Sequence, residues 1–110
     1  MKYSDIPKVK AELLEKQGGV CLICGTSLLQ LPERDRCLDH CHKTGRVRGV
    51  LCRSCNSFEG RVYKLFVRLG LRKRELDYSK VLREVIKHHK RKGTNHIHPI
   101  HNKKKRKKRK

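Results

Sequence analysis

Tryptophan is missing from this chain, and aromatic residues make up only 5% of its 110 positions. So little aromatic area excludes a large apolar core. A domain this small usually needs a metal, disulfides or a partner subunit to hold it. Acidic residues are scarce as well, ten against thirty Lys and Arg. No apolar run approaches the roughly 18 residues a membrane-spanning helix requires, so no membrane partner is expected. The opening Met1-Lys2-Tyr3-Ser4-Asp5 is polar at once and offers no apolar stretch of the secretory kind. An intracellular, reducing setting is therefore predicted, and there paired cysteines point to metal rather than disulfides.

What the chain does have is cationic charge and cysteine. The net charge is +20, of which the unbroken basic run Lys103 to Lys110 supplies eight, so the remainder still carries +12. Charge of that size bears on partners rather than on fold, and it predicts that a polyanion meets the body as well as the tail. Cys21/Cys24 and Cys52/Cys55 form two Cys-x-x-Cys pairs with 27 residues between Cys24 and Cys52. Four thiolates so spaced close a tetrahedral Zn²⁺ site with no open position, which makes the ion structural rather than catalytic. Cys37 and Cys41 are left over and read as ordinary buried thiols, because nothing beside them supplies a base and an oxyanion hole.

Around the cysteines the periodicity predicts a small α+β fold. Ser4-Asp5-Ile6-Pro7 starts a helix, with Ser or Asp as cap and Pro in the first turn. Its apolar stripe is Ile6, Val9, Leu13 and Leu14, and Gly18-Gly19 stops it. Val20 to Gly25 reads as a zinc knuckle. Leu38 to His42 and Arg46 to Leu51 are two candidate strands joined by the turn Lys43-Thr44-Gly45. Asn56 opens a helix whose stripe, Phe58, Val62, Leu65, Phe66 and Leu69, belongs in the core. A third helix, capped by Asp77 or Ser79, carries Tyr78, Val81, Leu82, Val85 and Ile86. That stripe is too apolar to stay wet, and a dimer interface is expected to cover it.

The chemistry lies between the cysteine pairs and just past them, in Asp39, His40, His42, Asn56 and Glu59. Hydrolysis of a phosphodiester needs a base for water, a hard cation for the phosphate charge and basic groups on the backbone. His40 is the candidate base, since histidine is the side chain poised to titrate near neutral pH. Asp39 and Asn56 offer the oxygen ligands that suit Mg²⁺. Arg46 and Arg48, on one face of the second strand, suit phosphate, with Lys43 at the turn. Neighbouring strand residues point to opposite faces, so Asp39 and His40 converge only if the strand twists or bulges. A blander reading keeps His40 and His42 as spare zinc ligands or hydrogen-bonded core residues, and the arginines as a solvated strand face.

The ordered set Cys-Leu-Ile-Cys, Leu-Asp-His-x-His, Lys-Thr-Gly-Arg-Val-Arg-Gly-Val-Leu-Cys and Cys-Asn-x-x-Glu-Gly resembles the phage recombination endonuclease VII family. Those are Holliday-junction resolving enzymes within the His-Asn-His, ββα-metal (His-Me finger) nucleases. Asp77-Tyr78 and Ile97-His98-Pro99 extend the likeness to about residues 12 to 99. The resemblance implies His40 as general base, Mg²⁺ or Mn²⁺ at Asp39 and Asn56, and supporting roles at His42 and Glu59, the latter a further candidate ligand. It also implies structural zinc at Cys21, Cys24, Cys52 and Cys55, and an intertwined homodimer built from the helices after Asn56. Cys41 stands where the family usually has an acid between the two histidines.

The organisation expected is a zinc-stapled ββα-metal module with an N-terminal helix over residues 1–70, a helical dimerisation segment over 71–101 and a disordered basic tail over 102–110. The expected function is a metal-dependent endonuclease on branched DNA, working in the host cytoplasm if the chain is phage-encoded. A nicking or homing-type nuclease on duplex DNA is one alternative. A noncatalytic zinc module that binds nucleic acid through charge is another.

Overall fold

The computed structural model describes residues 1–101. The basic run Lys103 to Lys110 and the tail expected over 102–110 lie outside the described residues. The chain divides into two compact units, one over Met1–Arg74 and one beginning at Glu75.

In the first unit, α1 spans Ile6–Lys16 behind a 3₁₀ turn at Tyr3–Asp5. The expected side-chain cap on α1 is not made. Asp5 turns back and accepts from the Lys2 backbone N–H at 2.8 Å, because the preceding 3₁₀ turn has unpaired donors of its own. The other end follows expectation. Gly18 and Gly19 take φ 70° and 73°, and Gly19 N–H reaches Leu14 O at 2.8 Å while Gly18 N–H reaches Glu15 O at 3.1 Å. This paired closure needs left-handed backbone, which glycine adopts without steric cost.

Strands β1 (Arg36–His40) and β2 (Val47–Cys52) form an antiparallel hairpin. Strand β1 begins and ends two residues earlier than the alternation suggests, so His42 falls in the turn. That turn is closed by Gly45 N–H to Cys41 O at 2.9 Å and Cys41 N–H to Arg46 O at 2.8 Å. The knuckle at Cys21 repeats the same frame, with Gly25 N–H to Cys21 O and Cys21 N–H to Thr26 O, both 2.9 Å. In β2 the alternation also breaks: Val50, Leu51 and Cys52 are all buried, so the strand is covered on both faces, with α1 packed on it.

Helix α2 runs from Arg53 to Arg68, starting three residues before Asn56 because the Cys52 sulfur accepts the Cys55 N–H at 3.4 Å and caps it. It packs on both strands. The core joins Leu14, Cys21, Leu28, Val50, Leu51 and Cys52, with Leu13, Leu31, Leu38 and Cys55 against it. The stripe expected to be core on α2 is only partly so. Phe66 is buried and Val62 half-buried, but Phe58, Leu65 and Leu69 are exposed. A two-stranded sheet is too narrow to cover so wide a helical face.

In the second unit, α3 spans Tyr78–His89, and Asp77 Oδ2 caps it by accepting the Lys80 N–H at 2.9 Å. Tyr78, Val81 and Leu82 are half-buried, whereas Val85 and Ile86 are exposed. Among the described residues no helix is long and apolar enough to cross a membrane.

Candidate metal centre and active site

The four paired cysteines converge although 27 residues part them: their sulfurs all lie within 4.8 Å of one another. A tetrahedral Zn²⁺ with sulfur arms of about 2.3 Å sets its ligands roughly 3.8 Å apart. Cys24 Sγ and Cys52 Sγ are 3.8 Å apart. Cys52 N–H points at Cys21 Sγ from 3.4 Å, the kind of donor a thiolate needs. The Thr26 hydroxyl beside Cys24 holds that thiol down to about 6. Loss of solvent around Cys55, with the sulfurs of Cys52, Cys24 and Cys21 beside it, pushes its thiol up to about 12. Such packed sulfurs resist joint ionisation until a dication neutralises them, so the donor set fits structural zinc.

A cleft of about 340 Å³ opens between β1 and α2. Its walls include Asp39, His40, His42, Asn56 and Glu59, all five residues singled out for chemistry. The strand problem raised by Asp39 and His40 has a structural answer. The ladder pairs Asp39 with Gly49 but His40 with Val47, so Arg48 is an extra residue and the register shifts between Asp39 and His40. A bulge of this kind, its extra residue on β2, sharpens the local twist of the pair, and both Asp39 and His40 reach the cleft. Gly49 makes the bulge compact: a Cβ there would lie 2.4 Å from Leu22 Cδ1.

Helix periodicity does the rest. Asn56, Glu59 and Tyr63 sit at i, i+3 and i+7, hence on one face of α2. His42 Nε2 lies 3.4 Å from Glu59 Oε1, and its ring stacks on Tyr63 with centroids 4.9 Å apart and planes 7° from parallel. The His40 ring is 5.9 Å from that of His42. Neither histidine belongs to the cysteine cluster, and both are exposed rather than core.

The basic residues divide. Arg48 grips Asp39 with Nε to Oδ2 at 2.8 Å and Nη2 to Oδ1 at 3.0 Å, and its Nη2 is 3.3 Å from Glu59 Oε1. Lys43 and Arg46 are exposed at the hairpin tip and line no part of the cleft. Arg61 and Lys64 do line it. Sequence reading passed over these two, and over Tyr63, because it followed the apolar stripe of α2. Reading the opposite face four residues on from Ser57, Glu59 and Gly60 would have found them.

Cys37 and Cys41 stand apart from the cluster, half-buried rather than buried. Burial pushes the Cys37 thiol up. Cys41 behaves in the opposite way: the Thr44 hydroxyl, with the Thr44 and Lys43 N–H groups, lowers its thiol to about 7.

Over residues 1–91 the sequence matches the recombination endonuclease VII family. The chain belongs to that family. The match starts at the first residue, earlier than the motifs alone suggest, and ends before Ile97-His98-Pro99. Among curated proteins, the Gene 59 protein of Mycobacterium phage L5 is 43% identical over 47 residues, 43% of this chain and 27% of that protein. The Gene 59 protein of Mycobacterium phage D29 is 44% identical over 46 residues, 42% of this chain and 27% of its own length. The aligned part thus spans about a quarter of those relatives. In this member of the family, the carboxylates of Asp39 and Glu59 and the amide of Asn56 are hard oxygen donors lining one cleft.

Proposed function

We propose that this protein is a zinc-stapled, Mg²⁺- or Mn²⁺-dependent DNA endonuclease that cuts branched DNA of the Holliday-junction kind. The convergence of Asp39, His40, His42, Asn56 and Glu59 on one cleft carries the reading, and family membership supports it. The overall organisation is a ββα-metal module followed by helices for dimerisation.

In this reading His40 takes a proton from the attacking water as general base. Asp39 and Asn56 hold the divalent ion, with Glu59 as a further ligand. When bound, that ion supplies neutralising charge to the phosphate and the leaving oxygen. His42, fixed between Glu59 and the Tyr63 ring, orients the reacting groups. Arg46, Arg48 and Lys43 hold the backbone, joined by Arg61 and Lys64 at the cleft wall. The zinc clamp keeps the ends of the hairpin and the start of α2 in register, because Cys52 and Cys55 straddle that junction.

A homodimer gives the scheme its two cuts, one in each of two strands. The exposed apolar residues Phe58, Leu65 and Leu69 on α2, and Val85 and Ile86 on α3, support such an interface. The deciding experiment is cleavage of a labelled four-way junction and its matched linear duplex, with Mg²⁺ or EDTA. Paired, metal-dependent cuts near the branch point support the reading. Equal cutting of linear duplex indicates a nicking enzyme of the same fold, and binding without cutting overturns catalysis.

A further inference from the structure

Resting on that reading, we infer that Arg48 competes with the divalent cation for Asp39 and is drawn off by the substrate's phosphate, so that DNA and metal each tighten the other's binding. The observation is the two-point grip. Both carboxylate oxygens of Asp39 are engaged by one guanidinium, at 2.8 Å and 3.0 Å. Asp39 is buried, so water offers little to replace a missing partner. The same guanidinium serves Glu59 at 3.3 Å. One Arg thus bridges both acidic groups named as cation ligands.

A cation that takes an Asp39 oxygen must share a carboxylate whose two oxygens both already accept from the guanidinium. It also brings two positive charges beside a guanidinium that cannot lose its own. Arg48 is placed to leave: its side chain is 42% exposed, and it is the extra residue of a bulge rather than a packed strand position. The fork that fits a carboxylate fits a phosphate equally well. A DNA backbone in the cleft gives Arg48 an alternative anion and frees Asp39. By linkage the coupling is reciprocal, and typical coupling is about 5- to 150-fold. Such a device holds hydrolysis back until substrate is seated.

The test uses zinc-loaded full-length protein carrying His40→Ala, in which cutting is slow enough for binding to be read. Mn²⁺ binding is followed by loss of the free-ion paramagnetic resonance signal, for that protein and for the same protein with Arg48→Gln or Arg48→Lys. Removing the competitor is expected to tighten Mn²⁺ about tenfold in Arg48→Gln, with Arg48→Lys between. Junction affinity, read by fluorescence anisotropy at matched ionic strength, should rise with Mn²⁺ in the Arg48 protein and lose that rise in Arg48→Gln. Unchanged or weaker Mn²⁺ binding in Arg48→Gln, in protein whose circular dichroism is intact, overturns the proposal and makes Arg48 a support for Asp39. If Arg48→Gln does not fold, an absence of any DNA effect on Mn²⁺ affinity in the Arg48 protein overturns it alone. Asp39→Asn separates the two levels. Mn²⁺ binding indifferent to Asp39→Asn brings down the metal site itself and the proposal with it, whereas binding that depends on Asp39 but not on Arg48 removes only the competition.

Discussion

Gln17 is bonded to the backbone of Val50 from both ends of its amide. Its Nε2–H donates to Val50 O at 2.7 Å, and its Oε1 accepts from Val50 N–H at 3.1 Å. The same Nε2 reaches Val20 O at 2.7 Å. These groups lie on the edge of β2 away from β1, so the side chain at the end of α1 covers an otherwise open ladder. Replacing Gln17 with Leu keeps the volume and leaves Val50 unpaired. The expected cost is about 1–3 kcal/mol for the orphaned groups, read as a lower thermal midpoint with unchanged secondary structure.

His40→Ala should lower cleavage by about 10²–10⁴-fold, the range for losing a general base. Junction binding should survive, because the hold on phosphate rests on other residues. Single-turnover cleavage beside an anisotropy titration checks both halves. Loss of binding in step with cleavage would assign His40 to substrate capture instead.

Zinc removal is expected to unfold the first unit. Binding to a Cys₄ site contributes on the order of 10 kcal/mol, and the apolar core it joins holds few residues. Circular dichroism after complete chelation should show loss of both helix and hairpin. Cys52→Ser should mimic chelation, since Cys52 is at once ligand, core residue and cap of α2. Cys37→Ser should not.

In zinc-loaded protein Cys41 is expected to be the fast-alkylating thiol. The thiolate is the reactive form, so the rate rises as pH climbs through about 7, the value to which the Thr44 hydroxyl lowers this thiol, and levels off above. Thr44→Val should move that midpoint upward, towards the ordinary thiol value. Cys37, pushed up by burial, should lag throughout. Mass-resolved alkylation from about one unit below that midpoint to about two units above it distinguishes the two sites.

Arg61→Ala with Lys64→Ala should reduce the salt dependence of DNA binding. For every phosphate these side chains neutralise, their removal lowers the slope of log affinity against log salt by about 0.9. A slope unchanged from the parent protein would place the backbone away from this wall of the cleft.

How far the chain could be read without its structure differs from feature to feature. The sequence by itself determined the four-cysteine cluster fit for zinc and the residue types that line the cleft, because metal ligation depends on thiolates at a short fixed spacing and leaves that spacing in plain view. Helical periodicity likewise put Asn56 and Glu59 on one face. What only the tertiary structure decided was how the hairpin brings Asp39 and His40 to one cleft. A bulge adds one residue to one strand, and nothing local in Arg46 to Leu51 marks Arg48 as that residue. The partner of Arg48 was hidden for the same reason: a cation on a strand face looks ready for phosphate until the register sets it against a buried carboxylate. Gln17 was invisible too, since its partners include backbone groups 33 residues away along the chain. Phe58, Leu65 and Leu69 show the limit of pattern reading, which finds an apolar face but not whether the sheet opposite is wide enough to cover it.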